Sequence, residues 1–229
     1  MFSPGPGQAL QQQPHQAVRR LRLPQNQPPA PMPQPKPAQG KFLIAGRNLD
    51  DPNFSKTVVL LINYGVQGAM GVVINRPTPF KLSRLLPDIK ALKDRPETIF
   101  IGGPVAKTQM MLFIRTPEKL EETFRIFDDV YVSGKPKAIE KLIARSDPNE
   151  RFRAYAGYAG WSQGQLDREI SRGDWHVSQA DSATVFDKDP TKIWQEFILR
   201  FSSKWVNIAP ENDRILTSKV FRAVNRSEP

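Results

Sequence analysis

Residues 157–170 read GYAGWSQGQLDREI, a stretch that crowds aromatic residues, glycines and a helix start together without a catalytic triad or a metal-ligand spacing. Such a segment identifies a fold far better than a reaction. Gly157 and Gly160 leave room for close backbone approach beside Tyr158 and Trp161, whose large rings carry polar tips that need partners when buried. Ser162 and Gln165 have the spacing of a capping box. A helix is therefore expected to open there, with Leu166 and Ile170 on one face and Gly173 at its stop.

On either side of this segment the hydrophobic pattern supplies more elements. Residues 152–156 form a strand leading into it, and residues 175–177 form another after its helix. Asp189 and Pro190 then make an N-cap and first-turn signature, followed by a broad apolar stripe of Ile193, Trp194, Phe197, Ile198 and Phe201. The signal fades after Trp205. Residues 206–229 are expected to be a loosely ordered C-terminal extension, with a strand fragment around Val220 and Phe221.

Towards the N-terminus, KFLIA at residues 41–45 is a short strand, followed by a polar bend through Asn48, Asp50, Asp51, Pro52 and Asn53. Residues 57–62 are branched and aliphatic without alternation, the pattern of a strand covered on both faces. A turn at Gly65 to Gly68 leads into a second apolar strand at 69–74, so the two should form a central hairpin. Asn75-Arg76-Pro77 ends that strand, because proline cannot donate to the ladder. Leu82, Leu85 and Leu86 mark a short helix, and residues 98–101, 109–114 and 129–133 read as strands. Pro136 opens a helix whose Ile139, Leu142 and Ile143 face inward. Strands and helices mixed at irregular intervals, with one clear hairpin, argue for an α+β fold rather than a doubly wound sheet.

Composition separates a tail from a domain. The first 40 of 229 residues hold ten Pro, nine Gln, four basic residues and no acid. Residues 1–39 are accordingly read as a disordered Pro/Gln-rich tail, unable to bury enough apolar surface to offset its ordering entropy. The remaining 189 residues suit one domain. The tail carries +4 of the net charge of +10, and 29 basic against 23 acidic residues leave +6 on the rest, a modest excess without a basic cluster on one element. No cysteine is present, which excludes disulfides, thiolate metal sites and cysteine nucleophiles. With only His15 and His176, a His-rich metal site is excluded as well. No apolar run is long enough for a signal-peptide core or a membrane span, and a cytoplasmic location is the expectation.

Four segments taken together resemble the AlgH/YqgE family of bacterial proteins: DPNF with Thr57, GAMGVVINRP at 68–77, IGGPV at 101–105, and GYAGWSQGQLDREI with Trp175 downstream. The resemblance spans residues 40–205. It implies a single compact α+β domain built on a bent, barrel-like mixed sheet flanked by helices. For function it implies only a transcriptional-regulator label attached to some members, without a recognised DNA-binding motif. Members of the family carry histidines where this chain has Tyr64 and Ile114, so no role resting on those histidines transfers.

The candidate ligand-binding residues are Asp51, Asn75, Arg76, Gly102, Gly103, Tyr158, Trp161 and Gln165. Arg76 at a strand end can grip a carboxylate or phosphate with two prongs, or else cap carbonyls or pair with an acid such as Asp51. Gly102-Gly103-Pro104 can present N–H groups to an anion or simply permit a tight strand exit. Tyr158 and Trp161 offer a stacking platform or core anchors, and Gln165 with Glu169 one turn later offers a pocket lining or a solvated helix face. Triad chemistry at His176 would need a serine and a carboxylate in reach, and no G-x-S-x-G places the serine. No catalytic residue, metal or cofactor is therefore assigned. The reading is a non-enzymatic binding or regulatory domain for a small anionic ligand or a protein partner. The alternatives are a transcription-associated regulator binding nucleic acid weakly, and a hydrolase or transferase with an unrecognised site.

Overall fold

The computed structural model describes residues 35–145 and 150–208. The expected tail up to residue 34 and the segment from residue 209, including Val220 and Phe221, lie outside them. At the start of the described chain the Gln39 amide donates to the carbonyls of Arg125 and Ile126 at 3.0 and 3.1 Å, which ties the entry of the first strand to the sheet.

Ten strands form one sheet that curls into a half-barrel. They are β1 (Lys41–Ala45), β2 (Val58–Gly65), β3 (Gly68–Val73), β4 (Pro77–Lys81), β5 (Thr98–Ile101), β6 (Val105–Arg115), β7 (Phe124–Phe127), β8 (Val130–Ser133), β9 (Arg151–Trp161) and β10 (Trp175–Gln179). The main path runs β10-β1-β2-β3-β9-β6-β8-β7, all antiparallel, while β5 lies parallel to β9 and carries β4 on its other side. Among the described residues five α-helices accompany the strands: α1 (Leu82–Leu85), α2 (Lys137–Arg145), α3 (Gln165–Arg172), α4 (Ser182–Phe186) and α5 (Pro190–Ile208). The sheet is mixed and the class is α+β, as the irregular alternation of elements predicts.

The apolar run of β2 explains its place. Val58, Val59, Leu60 and Leu61 are all fully buried, because alternate residues enter different cores on the two faces of the sheet. One core gathers Phe42, Leu60, Phe113 and Tyr155 with α4 and α5; the other gathers Val59, Leu61, Trp161 and Trp175 with α3. A third, under α1 and α2, holds Leu82, Ile139 and Leu142.

Several elements differ from the sequence expectation. The strand ending at Asn75 is followed at once by β4, which starts on Pro77 and pairs with β5; a proline is tolerated as the first residue of an edge strand, where no ladder donor is required. β7 and α4 are not read from the sequence: FRIF is broken by Arg125, and SATVF is a single turn of weak helix formers. α4 is nevertheless capped by Asp181, whose carboxylate accepts from the Thr184 N–H at 2.7 Å. β9 continues through the glycine and aromatic segment instead of ending before it. Gly157 adopts φ +75° there, a conformation glycine supplies at no steric cost.

The capping box is also only half formed. The Gln165 side chain accepts from the Ser162 N–H at 3.1 Å, but Gly164, in the left-handed conformation, is the N-cap residue and has no side chain to cap with. The Ser162 hydroxyl turns to the Gln165 carboxamide instead of to a helix N–H. At the other end Gly173 closes α3 as expected, with its N–H on Ile170 and the Asp174 N–H on Glu169, the reciprocal pair of a Schellman turn.

Candidate functional site

The loop between β1 and β2 is where the sequence-singled residues converge. Asp51 organises its first half: the carboxylate accepts from the Asn53 N–H at 2.7 Å and the carbonyl from the N–H groups of Phe54 and Ser55. Behind the loop, buried Asn75 uses both ends of its amide. It accepts from the Val58 N–H at 2.8 Å and donates to the Lys56 carbonyl at 3.0 Å. Arg76 donates through one terminal nitrogen to the carbonyls of Pro52 and Ser55, at 3.2 and 3.1 Å. Burial lowers the affinity of its guanidinium for the proton and nearby Asp51 opposes that, so the group stays charged. Of its sequence alternatives, Arg76 takes the carbonyl-capping one.

The aromatic segment reaches the same loop. The Phe54 ring stacks on Trp161 at 6.1 Å and meets Trp175 edge-on at 5.6 Å, while Trp161 and Trp175 contact each other at 6.0 Å. Both tryptophans are buried and both donate their indole N–H to a single oxygen of Glu169, at 2.8 and 2.9 Å. Gln165 donates to the other oxygen at 2.9 Å. Glu169 thus becomes the polar centre of this core, and Gln165 orients it. Tyr64, at one of the positions where the family resemblance implies a histidine, donates to Asp167 at 2.6 Å and fixes α3 to β2. That bond, more than burial, raises the phenol above its ordinary value.

Gly102, Gly103 and Tyr158 lie elsewhere. The Gly102 N–H donates to the Ala156 carbonyl and its own carbonyl accepts from Val73, both at 2.8 Å, so its N–H is spent in the ladder rather than turned to an anion. A Cβ on Gly103 would fall 2.2 Å from the Tyr158 carbonyl. Tyr158 packs against the α4/α5 core, whereas Trp161 belongs to the α3 core, so the two rings do not share a platform. His176 is half-buried and stacked on Phe201 at 4.8 Å. Among the described residues no group of three or more His, Asp or Glu is placed to hold a metal, and no helix is long and apolar enough to cross a membrane.

In front of the loop is a cleft of about 390 Å³ lined by Arg47, Lys56, Thr191, Trp194, Gln195, Ile198 and Leu199. Lys56 is held at φ +55°, a left-handed conformation uncommon for a residue with a side chain. The Asn75 bond to its carbonyl and the buried Thr57 that follows keep it there. Trp194 donates its indole N–H to the Ala45 carbonyl at 2.8 Å, which seats α5 against the end of β1. Arg47 and Lys56 carry no sequence signal: neither lies in a motif, and they meet Trp194 only through the fold. The one advance signal is Trp194 in the apolar stripe of α5, a ring whose N–H needs an acceptor.

A curled, mostly antiparallel sheet flanked by helices makes this an α+β half-barrel domain. The AlgH-like family model matches residues 42–205, and this chain belongs to that family. A UPF0301 protein of Bacteroides fragilis is 31% identical over 170 residues, 74% of this chain and 85% of that protein. One of Magnetococcus marinus is 34% identical over 161 residues, 69% and 86% of the two chains. The solution structure of the AlgH protein from Pseudomonas aeruginosa is similar with a TM-score of 0.59 and 29% identity, covering 78% of this chain and 98% of that one. A crystal structure of protein DIP2367 from Corynebacterium diphtheriae, at 23% identity and TM-score 0.62, covers 74% and 90% and shows the same fold.

Proposed function

We propose that this AlgH-like domain is a non-enzymatic binding module for a small anionic ligand, and that the ligand enters the cleft between the β1–β2 loop and α5. The observation that carries the reading is Lys56. A lysine whose backbone is held left-handed by buried Asn75 and Thr57, and which lines a cleft that also contains Arg47, brings two cations to one opening. Strain of this sort persists where surrounding structure over-determines it, and it concentrates at binding elements. Among the described residues the Lys56 ammonium has no ion-pair or hydrogen-bond partner.

In this reading Asp51, Asn75, Arg76, Trp161 and Gln165 position the loop and do not touch the ligand. Gly102, Gly103 and Tyr158 support the sheet behind it. The test is a titration of the ¹⁵N-labelled full chain with phosphate, pyrophosphate and acetate. Shifts are expected at Arg47, Lys56, Thr191 and Gln195 and at the Trp194 indole, and Lys56→Ala and Arg47→Ala should each abolish them. Changes spread evenly over surface lysines and arginines, or none at these five, would sink the proposal.

A further inference from the structure

The cleft has a second half that a simple inorganic ion leaves unused. One wall is α5, where Trp194 and Ile198 lie one turn apart and Leu199 stands one turn beyond Gln195. Ile198, like Ile193 and Phe197, is buried in the core, so the exposed apolar surface of this wall comes from half-buried Trp194 and from Leu199, which keeps 56% of its surface exposed at the rim. Trp194 cannot swing away, because its indole N–H is spent on Ala45. The cleft therefore sets α5, which presents Thr191, Trp194, Gln195, Ile198 and Leu199, against Arg47 and Lys56 of the β1–β2 loop, with no carboxylate among its lining residues. The start of α5 adds little attraction: Asp189 already accepts from the Thr191 N–H at 3.0 Å, and Lys192 pairs with that carboxylate. Attraction for an anion must come from Arg47 and Lys56, and the remaining surface is suited to an apolar group.

We propose that the ligand is an amphipathic anion, a single phosphate or carboxylate head carrying an alkyl or aromatic body. The head lies against Lys56 and Arg47, and the body lies along Trp194 and Leu199. This rests on the anion-binding reading above and narrows its ligand class. A volume of about 390 Å³ accommodates head and body together, within the range of roughly 300 to 1,000 Å³ usual for small-molecule sites. Inorganic phosphate would fill only the polar end and leave the α5 wall wet.

The test titrates the ¹⁵N-labelled full chain with octyl phosphate, octanoate, inorganic phosphate and octylammonium, each below its micelle concentration, following the Trp194 indole and Lys56 amide signals. Octyl phosphate is expected to bind at least about tenfold tighter than inorganic phosphate, since several buried methylenes contribute. Octanoate should move the same signals, and octylammonium should leave them in place. Leu199→Asn, a change at an exposed site, should weaken octyl phosphate about fivefold and leave inorganic phosphate unchanged. Lys56→Gln should weaken both. Equal affinity for octyl and inorganic phosphate at a Lys56-dependent site would overturn the apolar body while leaving anion binding intact. Octylammonium binding as tightly as octyl phosphate would overturn the charge selection, and silence of Trp194 towards every probe would overturn both proposals.

Discussion

At the scale of single residues, Glu169 gathers three donors on one side chain. Its carboxylate is the shared acceptor for two buried indole N–H groups and for the Gln165 amide. Glu169→Ala leaves both indole donors unpaired in a closed core, and each such orphan costs about 1–3 kcal/mol. A loss of about 3 kcal/mol of unfolding free energy is expected in a urea titration. Glu169→Gln should lose less, because one carbonyl oxygen can still accept from both rings. A neutral Glu169→Ala would show that water reaches these N–H groups. His176 provides a second check. Burial lowers its proton affinity in the folded state relative to the unfolded chain. The unfolded state then binds the extra proton first, so the contribution is fully present above pH of about 6.5 and is lost as pH falls through the folded value. His176→Phe should flatten this part of the stability-against-pH curve; an unchanged slope would assign it to other groups.

At the scale of elements, what the sequence reveals depends on how much of the pattern is local. The β2–β3 hairpin, β5, α2 and α5 are legible because their periodicity or turn chemistry is contained within the element. β4 and β7 are not: PTPFK holds two prolines, which argue against a strand, and FRIF is broken by Arg125, so β4 takes its identity from its pairing with β5 and β7 from the tight hairpin it makes with β8. The candidate residues divide in the same way. Arg76, Asn75 and Trp161 stand out because their chemistry is demanding, but what they demand is a fixed β1–β2 loop. Lys56 has no sequence signal because its significance is a backbone angle set by Asn75, nineteen residues on. Asn75→Ala should accordingly have two effects. The orphaned Val58 N–H should cost about 1–3 kcal/mol, and Lys56 should relax, weakening anion binding in the titration even at temperatures where the protein is fully folded. Destabilisation with unaltered binding would separate the loop from the cleft. The Gly102-Gly103 exit is stricter. Gly103→Ala places a methyl carbon 2.2 Å from the Tyr158 carbonyl and should cost about 3 kcal/mol or more, read as a collapsed melting temperature or loss of soluble protein.

At the scale of the whole molecule, charge is the property that most invites a nucleic-acid reading, with a net +10 at neutral pH. Its distribution argues for something weaker than specific recognition. Much of the basic charge on the described domain is used locally. Arg115 grips Asp187 through two nitrogens at 2.6 and 3.0 Å, Arg172 pairs with Asp174, Lys188 with Glu196 and Lys141 with Glu121. Arg153 donates to the carbonyls of Phe186 and Lys188 and lies over the Phe100 ring. Cations held in this way are poorly placed to track a phosphate backbone, and specific readout also requires side chains on one element reaching base edges. Random-sequence and native promoter duplexes should therefore bind the full chain with similar, weak affinity, and binding should fall steeply between roughly 50 and 200 mM salt as counterion release dictates. Removing residues 1–38 takes away four positive charges, so the slope of log affinity against log salt should become shallower, by at most about 0.9 for each DNA phosphate that the shortened chain no longer neutralises. A preference for one fragment that survives competitor DNA at the upper end of that salt range would replace the small-anion reading with sequence recognition; an unchanged slope in the shortened chain would place the DNA-binding cations on the folded domain.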